Sequence, residues 1–216
     1  MPVATGWPEN VLAVFGLPYL ERLRRQHGNP YRRTGVAAWL LADDPVGRVR
    51  LGELDLWLAA ARRHDLLDRD AMRRLKRGQV FVFLPKVLEF AALHFFEGRL
   101  GLPVRPGSRA DFEVRMAPGW LDVEVKSPIT ASPAAFRRLV HEAGKRAKAP
   151  TAVWLVSLEV APGFEAQAAA RALADGRPRD LVVGVGVLRL AFGAAGPTYA
   201  HAFAPTTARA CIDTFP

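Results

Sequence analysis

Acidic side chains and a lysine alternate with apolar side chains in two neighbouring segments, residues 110–116 and 120–126. Such alternation is typical of β-strands that have one buried and one polar face, and Pro118-Gly119 between the segments predicts a hairpin. A register that buries all of the apolar side chains brings the polar ones together on the other face. The predicted polar pairs are Asp111 with Lys126, Glu113 with Glu124, and Arg115 with Asp122.

The pairing of Glu113 with Glu124 is the unusual feature of this hairpin, because like charges directly opposite each other destabilise it. A solvated sheet face with cross-strand ion pairs accounts for Arg115 and Asp122 but leaves these two glutamates unexplained. A cation beside the carboxylates removes the repulsion, and carboxylate oxygens suit Mg²⁺ or Mn²⁺. An adjacent lysine can orient a water molecule or neutralise charge that develops on a phosphate. The hairpin therefore predicts a divalent-metal site with hydrolytic chemistry.

The elements that must position these residues follow one another from residue 85 in the order helix, strand, strand, helix, strand, helix, strand, strand. Pro85 comes after an apolar run over residues 79–84 and is typical of a first helical turn. Ser132 and Pro133 likewise predict the start of the helix that follows the hairpin. The predicted helices cover residues 86–97, 132–148 and 164–174, the later strands cover residues 152–160, 181–192 and 199–203, and residues 98–107 form a connector.

Residues 1–77 form a basic extension whose pattern predicts helices over residues 11–26, 35–42, 51–64 and 69–77. Asp68 or Asp70 is the expected cap of the last of these helices. Two such helices could form a DNA-reading helix-turn-helix, although a solvated cationic face produces the same pattern. We expect the extension to be part of a substrate-binding surface through its arginines, which include Arg22, Arg24, Arg25, Arg32, Arg33, Arg73, Arg74 and Arg77.

Composition and charge narrow the class of protein. The 30 Lys and Arg residues exceed the 21 Asp and Glu residues, which gives a formal charge of +9 and a pI near 10.5. This balance is typical of nucleic-acid binders, although an arginine-rich coding bias would also produce it. Cys211 is the single cysteine, which excludes a disulfide framework and a multi-cysteine zinc site. With no signal-peptide pattern and no apolar run of about 18 residues, we expect a cytoplasmic protein that is not inserted in a membrane.

Other catalytic and cofactor patterns are weak or missing in the sequence. The chain has no Gly-x-Ser-x-Gly elbow, so a serine hydrolase is unsupported. Gly184-Val185-Gly186 lies in a strand-like run without the rest of a dinucleotide fingerprint. The four histidines outside the helix after the hairpin have no ligand spacing and are expected to be structural or surface residues; they are His27, His64, His94 and His201.

The hairpin also carries a family resemblance. Asp111 is followed 13 residues later by Glu124-Val125-Lys126, and this pattern across a hairpin resembles that of the PD-(D/E)XK nuclease superfamily. The preceding helix with Glu89, and Gly107-Ser108-Arg109 before the aspartate, are similar to its archaeal Holliday-junction-resolvase and restriction-enzyme branches. The resemblance covers roughly residues 85–160. Ala110 departs from the motif, because it stands where the family has its proline.

The resemblance implies an α/β fold with a restriction-endonuclease-like core, in which a mixed central sheet is flanked by helices. This core would span residues 78–216 and follow the helical basic extension of residues 1–77. The resemblance further implies that Asp111, Glu124 and the carbonyl of Val125 bind Mg²⁺ or Mn²⁺, and that Lys126 is the catalytic lysine. Glu89 would match a helix glutamate that acts on a metal-bound water, and Glu113 could be an additional ligand.

The expected function is hydrolysis of phosphodiester bonds in nucleic acid, with DNA favoured over RNA by family frequency. Lys145, His141 and Arg138 on the helix after the hairpin, together with Arg109, are the candidate nucleic-acid contacts, although a cationic outer helix face would have the same composition. One alternative is a nuclease-like module that binds nucleic acid or a partner protein without cutting. Another is an RNA-cleaving toxin or defence nuclease. Many members of the family act as dimers, so a homodimer is compatible with the resemblance.

Overall fold

Helices occupy the first part of the chain and a β-sheet the second, in a computed structural model that describes residues 6–29, 33–116, 119–128, 132–158, 166–175 and 181–206. Arg32, Pro118 and Cys211, which entered the sequence predictions, lie outside these residues, as do the outer ends of some predicted elements. The chain divides into two compact units. The first comprises Met1–Ala91 and Phe192–Pro197, and the second comprises Ala92–Ala191 and Thr198–Pro216.

The α-helices of the described residues are α1 (Glu9–Phe15), α2 (Leu17–Gln26), α3 (Gly35–Leu40), α4 (Pro45–Arg63), α5 (Arg69–Lys76), α6 (Val80–His94), α7 (Pro133–Arg146) and α8 (Ala166–Ala174). The β-strands are β1 (Val104–Pro106), β2 (Phe112–Met116), β3 (Gly119–Lys126), β4 (Thr151–Leu158), β5 (Val182–Gly193) and β6 (Gly196–Pro205). None of the described helices combines the length and the apolar character that crossing a bilayer requires.

An aromatic cluster forms the core of the first unit. Trp39 lies 6.0 Å from Trp57 and 6.1 Å from Phe83, measured between ring centroids. Phe192, which comes from the distant segment of this unit, lies 6.1 Å from both tryptophans. Large aromatic side chains supply most of the apolar area that a small helical unit can bury. The first unit therefore depends on a residue that lies far away along the chain.

Side-chain caps define two helix starts in the first unit. Asp44 accepts a hydrogen bond from the amide of Gly47 at 2.8 Å at the start of α4. Asp68 accepts one from the amide of Ala71 at 2.7 Å at the start of α5. Each bond satisfies an amide that has no partner within its own helix. Of the two residues predicted to cap α5, Asp68 is therefore the cap.

The predicted helix start at Pro85 is wrong, because α6 begins at Val80 and contains Pro85 within it. Phe83, in the segment before the proline, is fully buried. Its aromatic packing stabilises the extra helical residues. Pro85 is the sixth residue of α6, where it removes the hydrogen bond that its nitrogen would donate one turn back and its ring crowds the carbonyl at that position. Tertiary packing thus outweighs the local signal of the proline.

The predicted connector over residues 98–107 is also more ordered than expected. The π-helical turn Phe95–Arg99 extends α6, and β1 follows at Val104–Pro106. β1 is an edge strand of the sheet. Proline is tolerated on an edge strand because its missing amide proton is not needed by a neighbouring strand. The prolines at positions 103 and 106 are therefore compatible with a strand at this edge of the sheet.

The sheet has six strands in the order β1-β2-β3-β4-β5-β6. β1 pairs with β2 and β2 pairs with β3 in the antiparallel direction, whereas β3 pairs with β4 and β4 pairs with β5 in the parallel direction. The parallel connections contain α7 and α8, as a crossover between parallel strands requires. β5 and β6 are joined by a two-residue turn, which only antiparallel neighbours permit. The expected α/β fold with a mixed sheet flanked by helices is confirmed.

Helical segments cover both faces of the sheet within the second unit. On one face, the ring of Phe96 lies 5.6 Å from that of Phe112 and 5.0 Å from that of Trp154. On the other face, α7 and α8 pack against β4, β5 and β6, in a cluster that includes Phe136, Val153 and Leu155. The polar side chains of the hairpin must therefore lie on one of these two faces, either the one that Phe96 covers or the one that α7 covers.

Glycines at two positions of β5 make room for aromatic rings. A Cβ atom at Gly184 would collide with the ring of Phe203, and one at Gly186 would collide with the ring of Trp154. These two rings are stacked with centroids 5.9 Å apart. Packing within the sheet thus accounts for the glycines of Gly184-Val185-Gly186, and no nucleotide is needed to explain them.

Candidate active site

The β2–β3 hairpin pairs in a register that differs by two residues from the predicted one. Phe112 lies opposite Val123, Glu113 opposite Asp122, Arg115 opposite Trp120 and Met116 opposite Gly119. The predicted pairs Asp111–Lys126, Glu113–Glu124 and Arg115–Asp122 are therefore wrong. A shift of two residues leaves every side chain on its original face, and it keeps the number of residues between paired positions even. Neither burial nor loop length could distinguish them in the sequence.

Asp111 reaches β3 in spite of the shifted register. Its carboxylate oxygen Oδ2 accepts a hydrogen bond from the backbone amide of Val125 at 2.7 Å. Gly107 allows the tight loop that precedes Asp111, because a Cβ atom at position 107 would lie 3.2 Å from the Cα atom of Phe112 and still closer to Ala110. The N–H and C=O groups of one strand residue point to the same edge of the strand. The carbonyl of Val125 therefore points to the edge of β3 at which Asp111 binds.

Glu124 and Lys126 form an ion pair on β3, and their side chains are only 15% and 18% exposed. In the parallel pairing with β4, Glu124 lies opposite Val153 and Lys126 opposite Leu155. Residues opposite each other on neighbouring strands point to the same face. Both charged side chains therefore lie on the face that α7 covers. Asp111, Val125, Glu124 and Lys126 are thus gathered at the carboxyl-terminal half of β3.

Asp122, which the sequence predicts only as an ion-pair partner of Arg115, is a further acidic residue of this face. Burial raises the pKa of its carboxyl above the ordinary value, and the carboxylates of Glu113 and Glu124 raise it further. Arg109 and Arg105 act in the opposite direction. Glu113 therefore lies opposite an acidic residue, as predicted, but that residue is Asp122 and not Glu124. The alternation that places Asp122 on the same face as Glu124 was the signal in the sequence.

Two predicted residues have partners elsewhere. Glu113 is ion-paired with Arg105 on β1, with 2.6 Å between Nε and Oε2. Glu89 belongs to the first unit, where it is ion-paired with Lys86 and lies 3.8 Å from Arg74. A role for Glu113 as an additional ligand and a role for Glu89 in catalysis both stay predictions.

The donor set at β3 fits a hard divalent cation. Among the residues that the structure describes, no three His, Cys, Asp or Glu side chains converge on a common point as a ready metal cage. Mg²⁺ does not need such a cage, because it keeps several of its waters and commonly binds to one or two carboxylates. Asp111 and Glu124 supply two carboxylates, and the Val125 carbonyl supplies a third oxygen. These residues therefore match the preferences of Mg²⁺ or Mn²⁺.

One flank of α7 is basic and faces the polar part of the sheet. Phe136 and Val140 point into the core, and Leu139 packs against the apolar cluster that contains α8. Arg137, His141 and Lys145 follow one another at intervals of four residues on the flank opposite Leu139, and all three are exposed. We call these three residues the basic flank. Because α7 packs over β3 and β4 and has α8 on its Leu139 side, the basic flank lies on the side of α7 that is nearer to β3.

The direction of α7 ranks the predicted contacts. α7 starts after the Lys126 end of β3 and ends before Thr151, which lies opposite Asp122. Arg137 is therefore the residue of the basic flank nearest to the Lys126 end, and Lys145 is the one nearest to Asp122. Arg138 points outward and lies 3.7 Å from Glu142. Arg137, which is not among the contacts predicted from the sequence, is thus a stronger candidate contact than Arg138.

The first unit contains two cavities with basic walls. One of about 450 Å³ has Arg24, Arg33 and Arg48 in its wall, but Asp43 also lines it. The other, of about 390 Å³, is lined by Arg22, Lys76 and Arg77 and by no aspartate or glutamate of the described residues. We call the second one the cationic pocket. It contains two of the basic residues, Arg22 and Arg77, that the sequence analysis assigned to a substrate-binding surface.

No protein-family model, curated protein or solved structure matches this chain.

Proposed function

We propose that this protein is a metal-dependent nuclease that hydrolyses phosphodiester bonds in nucleic acid, with Asp111, Glu124 and Lys126 as its active site. The observation that carries the proposal is the hydrogen bond between Asp111 and the backbone of Val125, because it joins the isolated aspartate to the Glu124-Val125-Lys126 segment. The order of α6, the antiparallel strands β1 to β3, α7 and the parallel strand β4 supports it. A helix, a mixed sheet and a second helix are the core that the resemblance to PD-(D/E)XK nucleases implies.

Asp111 and three residues of β3 would divide the chemistry between them. Asp111, Glu124 and the Val125 carbonyl would hold Mg²⁺ or Mn²⁺, which supplies Lewis acidity and neutralises charge on the phosphate. Lys126 would orient the attacking water and stabilise negative charge as the bond to phosphorus forms. Its ion pair with Glu124 keeps its ammonium group close to the ligands. The partly buried position of both side chains strengthens these interactions.

Charge supports nucleic acid as the substrate. The chain carries a formal charge of +9, and the basic flank of α7 points to the side of the sheet that bears Glu124. Cations that neutralise phosphates supply most of the sequence-independent affinity for nucleic acid. DNA remains favoured over RNA by family frequency alone. A cytoplasmic location and a homodimer are compatible with this proposal and belong to it as expectations.

The decisive experiment incubates purified protein with labelled linear, nicked, branched and single-stranded DNA and RNA. Each substrate is tested with Mg²⁺, Mn²⁺ or a chelator, and the Asp111→Asn and Glu124→Gln variants are the matched controls. We expect cleavage that requires metal and is absent from both variants. Cleavage that survives in the variants would move the active site elsewhere. Cleavage of RNA alone would select the toxin or defence nuclease.

A nuclease-like module that binds without cutting is the second candidate. The ion pair between Glu124 and Lys126 favours it, because each charge already has a partner without a metal. Such a module would bind nucleic acid equally well in metal and in chelator and would cut none of the substrates. The same panel of substrates therefore distinguishes the two candidates.

A further inference from the structure

Two arginines surround the one tryptophan of the chain that is not buried. Trp120 lies on β3, and the guanidinium carbon of Arg105 lies 4.2 Å from the centre of its ring. The guanidinium carbon of Arg115 lies 5.7 Å from the same ring. Trp120 is partly exposed, whereas the other four tryptophans are at most 8% exposed. A partly exposed tryptophan between cations calls for an explanation, because the chain otherwise buries this residue type.

Arg105 is held in place from two directions. Its guanidinium group lies over Trp120, and its Nε atom is 2.6 Å from the carboxylate of Glu113. About half of its side chain is nevertheless exposed. A guanidinium plane that is already oriented loses little conformational freedom when a ligand stacks on it. Arg105 therefore presents a preorganised flat cation to solvent.

This cluster lies on the same face of the sheet as the proposed active site. Trp120 and Glu124 are four residues apart on β3, so side chains of both point to one face, about 13 Å apart at roughly 3.3 Å per residue. A few consecutive nucleotides of one strand would span that distance. The substrate of the proposed nuclease would thus meet the cluster without leaving β3.

We propose that Arg105, Trp120 and Arg115 form a subsite for an unpaired nucleotide of the nucleic-acid strand. The base stacks on the guanidinium plane of Arg105, which Trp120 supports from below, and the exposed Arg115 contacts a phosphate. Arginine planes and aromatic rings are the usual platforms for unstacked bases. A base inside a closed duplex has both faces covered by its neighbours. The substrate class is therefore nucleic acid with a single-stranded segment.

The position of this subsite along the substrate rests on the proposed function, but the test of the subsite requires no cleavage. Wild-type protein in chelator is titrated with a single-stranded oligonucleotide and with a duplex of equal length whose ends are closed by linkers that carry no bases. Tryptophan fluorescence reports the subsite, because Trp120 is the most exposed of the five tryptophans. We expect quenching by the single strand and little or none by the closed duplex. DNA and RNA single strands are compared as separate arms.

Substitutions separate stacking from charge. Arg105→Ala and Arg105→Lys should each weaken single-strand binding by about fivefold or more, because both remove the plane while the second keeps the charge. Arg99→Ala is the matched control, since Arg99 also lies over an aromatic ring, that of Tyr199 at 4.7 Å, but outside the hairpin. Affinity is measured by anisotropy of a labelled strand, with thermal melts to establish that each variant is folded.

The outcomes are distinct from those of the cleavage assay. Equal affinity of Arg105→Lys and wild type would overturn the stacking subsite, as would equal quenching by the closed duplex. If Arg105→Ala fails to fold without its bond to Glu113, Arg105→Lys still decides the matter. A protein that cuts nothing but loses single-strand affinity in both Arg105 variants would retain the subsite and lose the nuclease.

Discussion

The carboxylate of Asp111, the residue that precedes β2, accepts a hydrogen bond from the backbone amide of Val125 at a distance of 2.7 Å. This bond replaces a strand-to-strand bond at the point where β3 has lost its neighbour, so it has a structural role. It also holds a carboxylate beside Glu124 and the Val125 carbonyl. One side chain therefore serves both the pairing of the hairpin and the proposed binding of metal, and substitutions can separate the two roles.

Asp111→Asn should keep the hydrogen bond while it abolishes metal-dependent cleavage. The amide oxygen of asparagine can accept the Val125 proton, but it lacks the charge that a divalent cation requires. Asp111→Ala should abolish cleavage and also lower the free energy of unfolding by about 1 kcal/mol, because the Val125 amide loses its acceptor. Thermal or chemical denaturation of the two variants beside a cleavage assay measures both effects. Equal instability of the two variants would contradict the separate roles.

Glu124→Gln and Lys126→Ala should both stop cleavage for different reasons. Glu124→Gln removes a metal ligand, so calorimetry should detect weaker Mn²⁺ binding. Lys126→Ala leaves the ligands in place, so Mn²⁺ binding should persist while cleavage falls by about a hundredfold or more. The double variant should be scarcely less active than either single one, because residues that act as a unit are not additive. Additive losses would mean that the two side chains act independently.

Asp122→Asn should stabilise the protein near neutral pH. The pKa of Asp122 is raised by burial and by its acidic neighbours Glu113 and Glu124, so the folded state disfavours its charged form. The stability contributed by protonated Asp122 is complete below the ordinary pKa and is lost as the pH rises through the raised pKa. Melting temperatures of wild type and variant should therefore converge as the pH falls. A constant difference between them at all pH values would exclude this explanation.

Neutral substitutions on the basic flank of α7 should weaken binding of nucleic acid in chelator. Arg137→Ala and Lys145→Ala each remove a cation that points to the polar part of the sheet. Each should lower affinity by several-fold and reduce its salt dependence. Arg138→Ala is the matched control, because Arg138 points outward and lies near Glu142. Equal losses in all three variants would show that only net charge matters, and no loss would leave these residues as solvated surface.

The cationic pocket of the first unit provides a test of the basic extension. Replacing Arg22, Lys76 and Arg77 with glutamine should flatten the dependence of affinity on salt by about two units of slope, if each contacts one phosphate of a single strand. Arg73→Gln is a suitable control, since Arg73 is ion-paired with Asp70. The slope is obtained from binding isotherms at several salt concentrations. An unchanged slope would remove the extension from the binding surface.

The sequence was sufficient to predict which residues share the polar face of the hairpin but not how they pair. Alternation determines the face of each side chain, and a shift of two residues preserves it. Asp111, Glu124 and Lys126 could therefore be grouped correctly while their partners could not. Asp122 was missed as a member of the acidic group because the predicted register placed it beside Arg115.

Local signals also failed where packing outweighs them. Pro85 predicted a helix start, but the burial of Phe83 draws the preceding residues into α6. Residues 98–107 were predicted as a connector, and only the finished sheet reveals that they contain the edge strand β1. Caps involve neighbours in sequence, and Asp68 was accordingly among the residues predicted for that role. Interactions between distant residues were the ones that the sequence left undetermined.

The position of Phe192 in the aromatic cluster of the first unit has a consequence for synthesis on the ribosome. About 100 residues separate Ala91, where the first segment of that unit ends, from Phe192. At a translation rate of roughly 5–20 residues per second, about 5–20 s pass before the ring emerges. During that interval Trp39 and Trp57 lack one of their aromatic neighbours, and the nascent unit exposes a surface that a chaperone could bind. The first unit can therefore be completed only after residues 92–191 of the second unit have been synthesised. A chain interrupted before residue 192 leaves the first unit incomplete.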